Sequence, residues 1–164
     1  MLTVYLLTNL IACSEPPPPP PPPAPPKAVE PPPPPPVAAP APTGPYTPDP
    51  LAQTAYDAAK AAGADAKTNP KVADAAVLAA GKVQYEKCQT CHGATGAGDG
   101  NAGAALPQKP AQFTWDERWA ATSAGTKHWI VQNGIAATSM APLGLTDDQA
   151  WEVLTYIEAE LRKK

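Results

Sequence analysis

Twenty-one of the chain's 25 prolines lie at or before Pro50, and only four occur in the rest of its 164 residues. Proline lacks a backbone donor and locks φ, so a tract this dense builds neither a helix interior nor a central strand. The first fifty residues are therefore excluded from an ordinary packed core, and any folded domain has to come from the residues after Pro50. From Ser14 to Pro50 the tract reads as solvated polyproline II, a semi-rigid spacer rising about 3.1 Å per residue. Thirty-odd such residues hold a domain up to roughly 100 Å from an anchor. A docking site for a proline-recognising module is the other use of such a tract.

Before it, M-L-T-V-Y-L-L-T-N-L-I-A-C is an apolar run ending at Cys13. No Lys or Arg precedes it, and it is too short to span a bilayer as a helix of about twenty residues. Leu10-Ile11-Ala12-Cys13 resembles the lipobox of bacterial lipoproteins, which implies acylation of Cys13 and export to the periplasmic or outer side of a membrane. A short uncleaved hydrophobic anchor with an incidental cysteine is the plainer alternative.

From Leu51 onward eleven Lys and Arg face twelve Asp and Glu. No basic patch interleaves with aromatics, so nothing supports nucleic-acid binding. This length suits one small domain. Its Ala- and Gly-rich composition leaves a modest aliphatic core, of the kind that a metal or cofactor often completes.

Helical punctuation runs through this part, and no segment alternates with period two. D-P-L-A-Q-T-A-Y-D-A-A-K-A-A (49–62) predicts a short helix ended by Gly63. Asp74 caps a second helix through A-A-V-L-A-A-G-K-V-Q-Y-E-K-C, with Val77, Leu78, Gly81 and Tyr85 on one face. A glycine-dense loop comes next, then L-P-Q-K-P. Thr114 is expected to cap a short helix in T-W-D-E-R-W-A-A, and another helix runs from about Thr126 to Gly134. Thr146 caps the last and most clearly marked helix. There Asp147 and Asp148 suit the positive end, Arg162 to Lys164 suit the negative end, and Trp151, Leu154, Ile157 and Leu161 form the stripe. The expected fold class is all-α.

The densest chemistry is E-K-C-Q-T-C-H-G at 86–93. Zinc would need two more ligands beyond Cys88, Cys91 and His92, and only His128 and Cys13 remain. A thioredoxin-like pair sits after a strand in a βαβ unit, and no strand is predicted. Covalent haem attachment satisfies the count without further cysteines, the two thiols adding across vinyl groups while the adjacent histidine reaches the iron.

From Asp74 to the C-terminus the chain resembles the class I monohaem cytochromes c. The likeness rests on G-K-V-Q-Y-E-K-C-Q-T-C-H-G, on G-x-G-D-G after it, and on N-G-x(5)-M-A-P-L-x-x-L-T-D-D-Q ahead of a closing helix. It implies helices packed around one covalently bound haem c, with Cys88 and Cys91 as thioether carriers, His92 as proximal ligand and Met140 as distal ligand. A thioether opposite an imidazole favours ferrous iron and raises the potential. It further implies a crossing of first and last helices at Gly81, with Tyr156 packed across it, and a carbonyl partner for His92 from the Leu106–Pro110 loop. Gln112, Trp115 and Arg118 are candidates to approach the haem propionates. His128 is expected as a helix-borne surface residue; as an iron ligand it would lower the potential.

The expected organisation is a signal-like segment (1–13), a proline-rich linker (14–50), a helical extension (51–73) and a cytochrome c domain (74–164). The expected activity is electron transfer by a membrane-tethered carrier between a redox donor and acceptor, not enzymatic catalysis. A fixed haem subunit of a larger respiratory or photosynthetic complex is the alternative.

Overall fold

Helix formation begins where the proline run stops. The computed structural model describes residue 42 and residues 44–163; the apolar N-terminal segment, Cys13 and most of the proline tract lie outside the described residues. The Asp49 carboxylate accepts from the N–H groups of Leu51 and Ala52, both at 3.0 Å, and starts α1 (Pro50–Ala61). Pro50 stands at the first helical position, where its missing donor costs nothing. After Gly63 comes a single 3-10 turn, Ala64–Ala66. Asp74 then caps α2 (Ala75–His92), accepting from Val77 N–H at 2.9 Å. This helix continues through the whole C-x-x-C-H stretch instead of ending at Cys88, because nothing breaks it before Gly93.

The glycine-rich loop contains one short helix, α3 (Asn101–Ala104). Helix α4 (Asp116–Ala121) starts at Trp115, not at Thr114, and has no side-chain cap. Helix α5 (Ala124–Asn133) begins before Thr126 because the Ser123 hydroxyl accepts from the Thr126 N–H at 3.1 Å. Helix α6 (Asp147–Tyr156) opens on a full capping box: Thr146 and Gln149 satisfy each other's backbone donors. It passes into a π-helical turn, Ile157–Leu161. The described residues contain no strand, so the fold is all-α. No described helix is long and apolar enough to cross a membrane.

Two crossings organise these helices. At the first, α2 meets α6 through Gly81. A Cβ at Gly81 would strike the Glu152 carbonyl and come within 2.7 Å of the Tyr156 Cβ, so the backbones approach as only glycine permits. Tyr85, one turn on, packs its ring against Tyr156 at 5.6 Å and donates to the Gly93 carbonyl at 2.6 Å. The buried core gathers here from Tyr85, Leu145, Trp151, Val153, Leu154 and Ile157. Leu161 is only half-buried at its edge. The stripe expected on the last helix thus faces the core.

At the second crossing, α1 and the 3-10 turn after it lie against α5. Their contact is made of small residues: Ala52, Ala55, Ala59 and Ala64 are buried, as is Gly125. Arg162 ties the C-terminal turn back by donating to the Phe113 carbonyl and to the Asp116 carboxylate.

Candidate functional site

Between the two crossings lies a cleft with about 1400 Å³ of space free of protein atoms, its open mouth included. Cys88, Cys91, His92 and Met140 all line it. They arrive from two directions. The first three sit in the last turns of α2, where spacings of three and four residues put side chains on neighbouring faces. Met140 comes from the irregular segment after α5. There its backbone N–H donates to the Thr138 hydroxyl at 3.0 Å, and its carbonyl accepts from Ile135 at 2.8 Å. The apolar part of the wall includes Leu106, Ile130, Val131, Ile135, Leu143 and Leu154.

His92 is nearly buried, and its ring stacks on Phe113 with centroids 4.5 Å apart. Its Nδ1 lies 3.0 Å from the Ala111 carbonyl, one residue past the Leu106–Pro110 loop. A carbonyl can only accept, so Nδ1 carries the proton and the lone pair is left on Nε2. Burial pushes the imidazole pKa below its ordinary value; the Ala111 carbonyl opposes this and Arg118 adds to it. The ring is therefore a neutral donor of one lone pair, as metal ligation requires.

Cys88 and Cys91 are free thiols. Burial pushes the Cys88 thiol up to about 11, with Lys87 acting in the opposite sense, so it stays protonated at neutral pH. Among the described residues, no three His, Cys, Asp or Glu side chains gather so as to hold a metal ion themselves. That arrangement does not suit a structural zinc site.

His128 departs from the surface position expected of it. It is 1% exposed, its ring stacks on Trp151 at 4.1 Å, and its Nε2 lies 3.2 Å from the Asp147 carbonyl. It is not among the residues lining the cleft. Helix α5 turns this side chain toward α6, where an indole covers it.

Of the residues considered for the propionates, Gln112 and Arg118 line the cleft. The Gln112 Oε1 and Trp115 Nε1 are buried without a partner in the protein; of the two only the indole N–H is a donor that a carboxylate could take, and Trp115 does not line the cleft. A largely apolar cleft lined by two thiols, a histidine with a free lone pair and a thioether fits a covalently held haem.

The cleft also has a wall that the motifs did not announce. Asp49, Ala52 and Tyr56, from the start of α1, line it, as does Lys127 from α5. Ala52 and Tyr56 stand four apart and so share a face of α1, the one sequence signal that pointed there. Burial pushes the Lys127 ammonium down to about 8, against the pull of Glu158 and with help from Arg162; it lies 4.1 Å over the Trp119 ring.

A family model described as Cytochrome c matches residues 78–159, half of the chain. No curated protein and no solved structure matches it.

Proposed function

The chain belongs to the cytochrome c family, and from that premise we propose that it is a tethered monohaem electron carrier. Proteins of this family bind haem c covalently and carry electrons. The observation that carries the finer reading is that Cys88, Cys91, His92 and Met140, drawn from two separate stretches of the sequence, line one cleft.

Haem, when bound, supplies a one-electron iron couple; the rest is done by the chain. The Cys88 and Cys91 thiols would hold the haem by adding across its vinyl groups, each S–H proton going to the other vinyl carbon, so that two thioethers would result without net oxidation. The His92 Nε2 and the Met140 Sδ, both lining the cleft, would be the residues that hold the iron. The Ala111 carbonyl fixes the tautomer and orientation of His92, and such supporting bonds raise ligand basicity. Were His92 and Met140 both to ligate, no position on the iron would be left for a substrate, which would suit a carrier. The neutral thioether favours ferrous iron, and the apolar wall disfavours the extra charge of the ferric state.

The sequence before Pro50 supports a setting for the carrier: acylation of Cys13 on the periplasmic or outer side of a membrane, and a proline-rich linker that would let the domain reach donor and acceptor. Small, weak redox interfaces suit such repeated docking. Replacing Met140 by Ala should open the ferrous iron to carbon monoxide and lower the midpoint potential; a variant that does neither removes Met140 from the distal role. Cys13→Ala should move the protein from the membrane to the soluble fraction. Continued membrane association would rule out the lipid anchor, and stoichiometric co-purification with a larger complex would favour a fixed subunit.

A further inference from the structure

The segment just before and inside α1 contributes more than a junction. Tyr46 places its ring edge-on against Trp115, with centroids 5.2 Å apart and planes at 87°. The Arg118 guanidinium lies 4.9 Å over the same Tyr46 ring. The Tyr46 hydroxyl is 2.9 Å from the Tyr56 hydroxyl, and Tyr56 lines the cleft. This strap is pinned behind by the 3-10 turn, where the Ala64 carbonyl comes so close to Gly125 that a Cβ there would overlap it.

Counting protons shows what remains free. Thr122 Oγ1 stands 3.1 Å from the Arg118 carbonyl and 3.4 Å from the Tyr56 hydroxyl. Its single proton belongs with the nearer acceptor. Either hydroxyl can donate in the tyrosine pair, which uses one of its two protons. With Tyr46 as the donor, the Tyr56 proton has in this group only the Thr122 Oγ1, at a long 3.4 Å, and is available to a better acceptor in the cleft. Arg118 and Gln112 line the same cleft. A hydroxyl donor and a guanidinium that line one cleft suit a carboxylate.

We propose that Tyr56 is a positioning donor for a carboxylate of the bound haem, and that Tyr46 acts through it by holding the Tyr56 oxygen in place. The proposal rests on the haem reading above. It makes the strap between the proline tract and α2 part of the redox site: a carboxylate whose charge is uncompensated stabilises ferric iron, and a donor to that carboxylate offsets this and raises the potential. The other charged residues lining the cleft are Asp49, Lys87, Lys109 and Lys127.

The test uses the full chain with haem attached. Intact mass and the visible spectrum first establish covalent haem and methionine ligation, which decides the underlying reading by itself; a chain that takes no haem overturns both. In the loaded protein, Tyr56→Phe should lower the midpoint potential and shift the haem carboxylate bending band in resonance Raman. Tyr46→Phe, which keeps the ring against Trp115, should shift both in the same direction by less. In the parent that band should move between H₂O and D₂O. If both variants change only the melting temperature, or if the band ignores D₂O, Tyr56 is packing and the proposal falls.

Discussion

The two helix crossings that enclose the cleft are built from opposite materials. Where α2 meets α6, large side chains close around one glycine: Tyr85, Trp151, Leu154 and Ile157 pack beside Gly81. Where α1 meets α5, alanines and Gly125 bring backbones together with little side-chain area between them. Burying a large apolar side chain contributes about 1.5–3 kcal/mol, several times what an alanine methyl offers. The first crossing therefore holds the fold, and it also carries the motif, since Cys88, Cys91 and His92 end α2. The second is a lighter attachment that finishes the cleft wall with Ala52 and Tyr56. A small domain thus separates the crossing that must survive from the one that tunes the site.

This contrast breaks first at Trp151. Trp151→Ala removes an indole that is 3% exposed and stacked on His128, and should cost about 3–5 kcal/mol in denaturant unfolding. A loss below about 1 kcal/mol would show that α6 does not carry the core. Gly125→Ala should cost less, roughly 1–3 kcal/mol, because the new methyl meets the Ala64 carbonyl. Its hydrogen exchange should rise in α1 and leave α2 and α6 protected; a uniform rise would erase the difference between the crossings.

The smallest effect concerns Lys127, which joins the two. Its folded pKa, about 8, lies below the ordinary lysine value. The unfolded chain therefore binds more protons between about pH 8 and the ordinary lysine value of about 10.4, and stability should rise with pH across that window. Lys127→Met should flatten the rise. An unchanged slope would mean that Lys127 is solvated in the folded protein.

Legibility divided along the same line. Asp74 and Thr146 announced their helices because a cap acts on donors two or three residues away. Gly81 and Tyr156 were placed through the family resemblance. Thr114 and Ser123 could not be told apart by type: each precedes a helical pattern, and only Ser123 has a backbone N–H in reach. His128 looked exposed because the ring that covers it, Trp151, lies on a different helix. Tyr56 was hidden for a similar reason. Its place on the cleft depends on how closely α1 approaches α5, which Ala64 and Gly125 decide from far apart in the chain. The four candidate haem-binding residues could be named because three fall within five residues and Met140 is the only methionine after Met1.

An optical redox titration of the haem-loaded protein, with and without carbon monoxide, tests the central claim most directly. Ligation by His92 and Met140 predicts a high, positive midpoint potential and no carbon monoxide binding to the ferrous form at neutral pH. A low potential, or ready carbon monoxide binding, would contradict it.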